Sequence, residues 1–357
     1  MKYVSVTEGE TRLMVSPHRP GRGPRGIGKD VFYNPAMELN RDISIAFLKA
    51  WGVGDKKVLD GMAASGARGV RIARESHAGE VVMLDLSSDA VDLIQRNIDF
   101  TDVKAQVHRD SIENHILENR YRYDYIDIDP FGTPVPFFTI PARFVSRNGV
   151  LAVTATDTAV LCGTYREKCV RRYSAVPENN WCCHEIGLRI LIGYCVRETA
   201  RYDRGAEPLL SYYDGHHFRT YLLIREGAKY ADGSLSSLDN YRFSNFSWEP
   251  DGPTGPLWSG PLFNRDILSG LQPLGKLNQE LIDTWSSECS LPPFFYDTNV
   301  LGSHTGRSPP ALKKLISELE GEGHGVSRTH FSPTAFKTEA DASSVLRSFD
   351  RACAGTR

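Results

Sequence analysis

Four short apolar runs of this sequence each end in an aspartate and lead into a segment with helical spacing. The runs are KKVLD, EVVMLD, AQVHRD and YDYIDID, and their last residues are Asp60, Asp85, Asp110 and Asp129. Alternating strands and helices are typical of an α/β fold, with a parallel sheet and helices on both faces. Ligands of such folds bind beyond the carboxyl ends of the strands. We therefore expect the four aspartates to face one crevice.

The 357 residues are enough for about two domains. Asn34 and Pro35 suit the start of a helix that continues to residue 50. Two further strands are predicted within 149–160 and 218–230, and a polar segment, ADGSLSSLDN, follows the second. We place the boundary there. The first domain covers 1–230 and includes a basic N-terminal segment, 1–30; a smaller α+β domain covers 231–357.

The charge of the chain is nearly balanced, with a formal net value of −2. Such a balance does not by itself indicate a nucleic-acid-binding protein, but two segments are locally basic. The first is HRPGRGPRGIGK and the second is YREKCVRRY; their cations are Arg19, Arg22, Arg25 and Lys29, and Arg166, Lys168, Arg171 and Arg172. Each segment is either a solvated surface or a set of phosphate contacts.

The seven cysteines include no Cys-x-x-Cys pair, which favours free thiols in the core over a metal site. No apolar run reaches the roughly 20 residues that span a bilayer. The N-terminus lacks the apolar stretch of a signal peptide. We therefore expect a cytoplasmic protein that binds no membrane.

The turn at 60–66 has the small residues that let a ligand approach a helix N-terminus. It is not Gly-x-Gly-x-x-Gly, so a dinucleotide-binding fingerprint fits poorly, and a tight turn that only packs helix on strand is the alternative. Asp85 can accept hydrogen bonds from two ribose hydroxyls. Asp110 and Ser111 stand where an adenine amino group would bind. Three strand-end aspartates in register, at Asp60, Asp85 and Asp110, favour a nucleoside site over helix caps.

The fourth strand ends in Asp129-Pro130-Phe131-Gly132, a pattern similar to that of methyltransferases acting on flat amino groups. The lone pair of such a nitrogen is delocalised, so hydrogen bonds from its N–H groups to the Asp129 carboxylate and the Pro130 carbonyl help to present it. They also hold it at the ~3–3.5 Å approach that in-line transfer needs. Phe131 offers a face on which a base can stack, and Gly132 leaves room for the ring. A structural turn or a cis-proline is the alternative.

The chain resembles the tRNA (guanine-N2-)-dimethyltransferases that modify position 26. The matching segments are TEGETRL, VFYNPAMELNRDIS, DGMAASGARGVR, DIDPFGTP and SRTHFSPTAFKT, which extend over most of the chain. The resemblance implies a Rossmann-like class I domain that uses S-adenosylmethionine (SAM), a C-terminal domain particular to the family, and tRNA as partner. The expected products are N2-methyl- and N2,N2-dimethylguanine.

The resemblance also assigns roles to individual residues, beside those argued from the strand ends. Arg41 and Arg68 would contact the cofactor, Arg41 because the carboxylate of SAM suits a bidentate cation. Phe32 would line the pocket of the target base. The expected cofactor residues are thus Arg41, Asp60, Arg68, Asp85, Asp110 and Ser111, and the expected residues at the target base are Phe32, Asp129, Pro130, Phe131 and Gly132.

One departure from the family concerns zinc. Members often carry a cysteine-based zinc site early in the C-terminal domain, whereas this chain has YRFSNFSWEPDGPTGPLW there, without a cysteine. We therefore expect no metal. Nothing implies a protein partner, and a monomer is the default.

Three other functions remain open at this stage. The first is a SAM-dependent methyltransferase acting on another tRNA guanine or another nucleobase. A second is an RNA chaperone that binds a nucleotide without catalysis. The third, a dehydrogenase, would need the missing glycine fingerprint.

Overall fold

A computed structural model describes residues 3–17, 30–119 and 122–354 of the chain. The fold begins with an antiparallel hairpin of β1 (Val4–Glu8) and β2 (Thr11–Val15). Gly9 forms its turn with a φ of +54°, and a Cβ there would lie 2.4 Å from Arg71 Nη2, so the turn requires glycine. The basic segment at 18–29 lies outside the described residues.

A seven-stranded sheet forms the centre of the first half. Its strands are β3 (Lys57–Asp60), β4 (Glu80–Asp85), β5 (Gln106–Arg109), β6 (Tyr125–Ile128), β7 (Gly149–Ala155), β8 (Arg204–Asp214) and β9 (His217–Glu226). Their order across the sheet is β5-β4-β3-β6-β7-β9-β8. The strands β3 to β7 are parallel, and their carboxyl ends therefore meet at one edge.

The expectation of a wholly parallel sheet was wrong for the last strand. β9 runs antiparallel to both β7 and β8. The reason is local: only Gly215 and His216 connect β8 to β9, which allows a hairpin but no crossover helix.

In the described ranges, eight α-helices precede or connect these strands. They are α1 (Glu38–Trp51), α2 (Ala67–Glu75), α3 (Ser88–Thr101), α4 (Ile112–Asn119), α5 (Val135–Phe144), α6 (Thr158–Leu161), α7 (Arg166–Tyr173) and α8 (Cys183–Ala200). The predicted cap at Asn34 is present, but it starts a 3-10 turn, Pro35–Met37, that leads into α1. Ser87 accepts a hydrogen bond from the Ala90 N–H and so caps α3.

The C-terminal part contains two small antiparallel sheets and six helices among its described residues. Its elements are α9 (Ala228–Leu235), β10 (Leu238–Ser244), β11 (Ser247–Pro250), β12 (Thr254–Trp258), α10 (Arg265–Gly270), α11 (Gln279–Glu288), β13 (Tyr296–Asp297), α12 (Thr298–Thr305), α13 (Leu312–Gly321), β14 (Val326–Arg328), β15 (Ala335–Thr338) and α14 (Ala342–Ala354). The sheets have the orders β11-β10-β12 and β13-β15-β14.

The two parts share apolar packing. The main core includes the central strands together with Trp258, Phe263, Trp285, Phe294 and Phe331 from the C-terminal part. A second core lies between β15, α13 and α14 and contains Leu315, Leu319, Phe336, Val345 and Phe349. The predicted boundary near 230 falls inside α9, and the division into 1–230 and 231–357 stays a proposal.

α8 is a largely buried helix in the core. Its Arg189 is buried and donates to Glu185 Oε1 at 2.8 Å. In the described part of the chain, no helix has both the length and the apolar character that membrane crossing requires.

Candidate active site

The carboxyl ends of β3 to β6 open into a cavity of about 750 Å³. This volume is within the range of about 300–1,000 Å³ that is usual for small-molecule sites. The cavity is lined by every residue expected at the cofactor or at the target base except Gly132: Phe32, Arg41, Asp60, Arg68, Asp85, Asp110, Ser111, Asp129, Pro130 and Phe131. The expected convergence of the strand-end aspartates is therefore confirmed, because they share the edge where parallel strands end. What each residue binds stays a prediction.

Asp85 holds the turn that follows β3. Its Oδ2 accepts a hydrogen bond from the Ala64 N–H at 2.9 Å, and its Oδ1 accepts one from the Ser87 N–H at 2.9 Å. Each carboxylate oxygen has a second lone pair, so these bonds leave acceptors for a ribose. Gly61 in the same turn packs closely, since a Cβ there would lie 2.4 Å from Ile112 Cδ1.

Asp60 is a buried carboxyl whose Oδ2 has no hydrogen-bond partner among the described residues. Burial, and then the nearby charge of Asp127, raise the pKa of Asp60 to about 7. A buried carboxyl of this kind is stabilised as a carboxylate only if a cation or a donor comes to it. The amino group of the methionine part of SAM is such a cation, so this residue fits the expected cofactor.

Asp110 and Ser111 form the rim beside α4. Ser111 Oγ accepts from the Asn114 N–H at 3.1 Å and so caps the helix, while Asp110 Oδ1 accepts from the Ser111 N–H at 2.8 Å. Capping was the alternative considered for the strand-end acids, but the residue that caps α4 is Ser111 and not Asp110. Both residues line the cavity.

Arg41 is held by a residue that the sequence did not single out. It donates from Nε to Glu8 Oε2 at 2.7 Å and from Nη2 to Glu8 Oε1 at 2.5 Å. Tyr33 adds a hydrogen bond from its hydroxyl to Glu8 at 2.6 Å. Burial would raise the pKa of Glu8, but the bonds and charge of Arg41 outweigh it, and the pKa lies below its ordinary value. Arg41 Nη1 makes no hydrogen bond among the described residues, which leaves it for an anion.

Arg68 contacts Asp129 in this structure. Its Nη2 donates to Asp129 Oδ2, and its Nη1 donates to Ser44 Oγ at 2.7 Å. The contact leaves Asp129 Oδ1 as an open acceptor at the end of β6. Arg68 also lines the cavity. Its contact with the cofactor stays a prediction, with which the Arg68–Asp129 contact is compatible.

Asp127 and Asp124, the other two acids of YDYIDID, lie elsewhere on the strand. Asp127 is fully buried and pairs with Arg219 Nη2 at 2.5 Å. Asp124 Oδ2 accepts from the Lys57 N–H at 2.9 Å, at the amino end of the sheet. Only Asp129 of the three lines the cavity.

Two aromatic rings stand at the mouth of the cavity. Phe131 is 59% exposed, and its ring meets Phe32 edge to face with centroids 4.7 Å apart. Exposed aromatic rings of this kind offer a face on which a base can stack. Gly132 lies next to them, with a φ of +86° and an N–H that donates to Thr156 Oγ1 at 2.7 Å. Apart from its two chain neighbours, no described residue has an atom within 4 Å of where its Cβ would be, so space is free beside the loop.

The tip of the β8–β9 hairpin adds His216 and His217, which sequence reasoning missed. His217 Nε2 is 2.7 Å from Asn40 Nδ2, and its Nδ1 has no partner among the described residues. Burial lowers the pKa of His217 to about 4, so the ring is neutral at physiological pH. The signal in the sequence was the turn DGHH, which places polar residues where two apolar runs meet.

A family model described as N2,N2-dimethylguanosine tRNA methyltransferase matches residues 25–246 and 245–350. The chain belongs to this family. The tRNA (guanine(26)-N(2))-dimethyltransferase of Thermococcus kodakarensis is 41% identical over 95% of this chain and 97% of its own length. That of Natronomonas pharaonis is 37% identical, with coverages of 96% and 99%.

A solved structure is also similar to this chain. It is Trm1 from Pyrococcus horikoshii in complex with S-adenosyl-L-methionine, with 33% identity and a TM-score of 0.87. The match covers 97% of this chain and 99% of that one. The similarity confirms the predicted fold, a Rossmann-like class I domain with a smaller C-terminal part.

The structure describes the region for which the resemblance raised the question of a zinc site. Residues 238–258 form β10, β11 and β12 and contain no cysteine. Their aromatic side chains surround Phe294: Tyr241 and Phe243 at 4.9 Å and Trp248 at 5.6 Å between ring centroids. Aromatic packing thus occupies this region.

The basic helix α7 is attached to the cavity rim. Arg172 Nη1 and the Tyr173 hydroxyl both donate to Asp157, at 2.9 and 2.7 Å. Asp157 follows Thr156, which lines the cavity. The remaining cations of the segment, Arg166, Lys168 and Arg171, are exposed, as is Tyr165.

A second group of possible ligands lies outside the cavity. Within the described ranges, one set of side chains has the composition and spacing of a metal site: Cys162, Cys183 and His184. The spacing of cysteines along the sequence gave no indication of it.

Proposed function

We propose that this chain uses SAM to methylate the exocyclic 2-amino group of guanine 26 in tRNA, giving N2-methyl- and N2,N2-dimethylguanine. Family membership supports the reaction class, and the Thermococcus relative carries this activity in its name. The observation that carries the proposal is the end of β6. There Asp129 presents an open carboxylate oxygen beside the exposed ring of Phe131.

SAM supplies an electrophilic methyl group on a sulfonium. Asp85 is placed for the ribose, and Asp110 with Ser111 for the adenine. Arg41 Nη1 suits the carboxylate of the methionine part, and Asp60 suits its amino group. We place SAM across these residues because they line one cavity and retain unused donors or acceptors.

Asp129 presents the amino group of the target base. Arg68 fixes one carboxylate oxygen, so the other has a defined direction from which to accept an N–H. The Pro130 carbonyl accepts none of the turn and loop hydrogen bonds among the described residues and is free for a second N–H. Two acceptors would hold the nitrogen with its lone pair toward the methyl group, which favours in-line transfer.

The rings of Phe32 and Phe131 provide the stacking surface. Guanine in folded tRNA is stacked, so it has to leave the stack at a cost of a few kcal/mol. Stacking on an aromatic side chain stabilises the bound base by about 1–3 kcal/mol and so offsets part of this cost. The free space beside Gly132 would receive the first methyl group during the second transfer.

We further propose that α7 contacts phosphates of the tRNA. It presents Arg166, Lys168 and Arg171 to solvent, and its last residues are bonded to Asp157 at the cavity rim. We also propose a cytoplasmic monomer that needs neither a membrane nor a protein partner.

The test is transfer of labelled methyl groups from SAM to an unmodified tRNA transcript, followed by nucleoside analysis by mass. We expect dimethylguanine, lost when guanine 26 is replaced by adenine. Methylation that persists in that transcript would point instead to another guanine. No transfer to any tRNA, despite binding of S-adenosylhomocysteine, would contradict the proposal.

The role of Asp129 is tested in the same assay. We expect Asp129→Asn to lower kcat at least about 100-fold, with the affinity for S-adenosylhomocysteine nearly unchanged. Asp124→Asn is the matched control, since Asp124 lies on the same segment but at the opposite end of the sheet. If both variants retained wild-type turnover, Asp129 would not orient the amino group.

A further inference from the structure

We propose that Cys162, Cys183 and His184 bind a thiophilic divalent cation, Zn²⁺, at a site separate from the SAM cavity. None of the three lines that cavity. The site is also distinct from the cysteine-based site expected early in the C-terminal domain of relatives, because all three residues lie between β7 and β8.

Geometry is the main support. The Sγ atoms of both cysteines and a ring nitrogen of His184 lie within 4.8 Å of one another. For any three points so spaced, some position is within about 2.8 Å of all three, whereas Zn–S bonds are about 2.3 Å and Zn–N bonds about 2.0–2.1 Å. Movements of less than about 1 Å in the side chains would therefore complete three bonds.

The ligands come from two elements that pack against each other. Cys162 ends α6, and Cys183 and His184 begin α8. Two sulfurs and one imidazole are a ligand set that selects zinc over magnesium or calcium. Cys183 and His184 are partly exposed, which provides an entry path and leaves room for water as a fourth ligand.

The side chains already point to a common place, because the Cys162 and Cys183 thiols are hydrogen-bonded to each other. The ring of His184 stacks on Tyr213 with centroids 4.2 Å apart, so its orientation is fixed.

Tyr213 gives the site a connection to the cavity. It belongs to β8, next to the hairpin tip that carries His216 and His217. A bound cation would hold α6, α8 and, through the His184 ring, this hairpin. The role that follows is structural: the metal would stiffen the wall of the cavity without touching the methyl group.

Cobalt binding to the full-length chain tests the proposal. The protein is stripped of metal with a chelator and reductant and titrated anaerobically with Co²⁺. We expect one equivalent per chain, with the near-ultraviolet thiolate band and visible bands of a four-coordinate site. Cys183→Ser and Cys162→Ser should lose both signals, and Cys289→Ser, a partly exposed cysteine elsewhere, should keep them.

A second measurement needs no variant. Alkylation of the wild-type chain, read by peptide mass, should be at least about tenfold slower at Cys162 and Cys183 with one equivalent of Zn²⁺. The rate at Cys289 should be unchanged. Equal rates with and without Zn²⁺, or a Cys162–Cys183 disulfide in protein prepared anaerobically, would overturn the metal site.

Discussion

Two buried carboxyls at the ends of neighbouring strands differ in their partners. Asp127 pairs with Arg219, whose charge outweighs burial and lowers its pKa. Asp60 has no such bond, and burial raises its pKa to about 7. The charge in this part of the cavity near neutral pH therefore depends on what enters it.

The first prediction concerns the pH dependence of cofactor binding. In the free protein Asp60 holds a proton below about pH 7, and the amino group of S-adenosylhomocysteine would displace it. Affinity should therefore rise by up to about tenfold per pH unit toward pH 7 and level off above it. Calorimetry in buffers of different ionisation enthalpy counts the proton released.

Asp60→Asn provides the control for this effect. The variant should bind more weakly above pH 7 and release no proton below it. The raised pKa also means that the free wild-type protein loses stability as pH rises from about 4 to about 7, and the variant should lack that loss. A proton release that persists in Asp60→Asn would assign the titration to another group.

Sequence reasoning located the residues of the cavity that belong to strand ends. A strand that ends in an acid is visible as a pattern, and parallel strands bring such ends together. Glu8 and His217 were missed because each reaches the site from a distant hairpin, which is not visible in local sequence. The pairing of Arg68 with Asp129 was missed because the two residues lie 61 positions apart in the sequence, in α2 and after β6.

At the scale of elements, the β1–β2 hairpin supports the cavity wall from outside the sheet. Glu8 links Arg41 to Arg71, which also bonds to Asp42 at 2.7 Å and to Glu75 at 2.9 Å. All of these groups are buried. The hairpin therefore depends on charge pairs as well as on apolar packing.

We expect Glu8→Gln to lower the free energy of unfolding by about 3–5 kcal/mol, because it leaves buried guanidinium groups short of an anion. It should also weaken SAM binding through Arg41. Glu10→Gln, on the exposed side of the same turn, is the control and should change stability by less than about 0.5 kcal/mol. Urea unfolding measures the stability of both variants. If Glu8→Gln and Glu10→Gln had equal unfolding midpoints, the hairpin would not support the site through Glu8.

The α7 helix allows a separate prediction. Replacing Arg166, Lys168 and Arg171 with alanine should raise KM for tRNA. It should also flatten the dependence of log K on log salt by about 0.7–0.9 per lost phosphate contact. Affinity for S-adenosylhomocysteine should not change. Lys49→Ala, an exposed cation at the end of α1, should leave the salt slope unaltered.

At the scale of the whole molecule, a buried ion cluster joins the two halves. Glu185 Oε1 in α8 accepts from Lys337 Nζ at 2.8 Å, from Arg189 at 2.8 Å and from the Phe294 N–H at 2.9 Å. Burial would raise the pKa of Glu185, but the charge of Lys337 and Arg189 outweighs it and lowers the pKa. Lys337 belongs to SRTHFSPTAFKT, whose role the sequence left unexplained.

Lys337→Met should therefore lower the free energy of unfolding by about 3–5 kcal/mol, because Glu185 stays buried with one cation fewer. Lys313→Met, at an exposed position of α13, is the matched control. A single cooperative transition is expected in both, since the main core extends across the two halves. If Lys337→Met and Lys313→Met lowered the free energy of unfolding equally, the ion cluster would contribute little to stability.

The alternation of strands and helices was sufficient to predict the first five strands of the sheet and its ligand edge. It did not predict the antiparallel β9, whose direction depends on a two-residue connection. Nor did it show that the aromatic region at 238–258 packs into the same core as the sheet. Composition indicates that aromatic residues will be buried but does not say against what.

One contact relates the site to the order in which the chain is made. Every described residue that lines the cavity has been synthesised by position 217, yet Asp42, bonded to Arg71 behind Arg41, also accepts the Lys276 N–H at 2.8 Å. A nascent chain would thus carry the full set of site residues well before this last bond can form. A chain that ended between residues 217 and 276 would therefore carry the described cavity residues without this bond to Asp42.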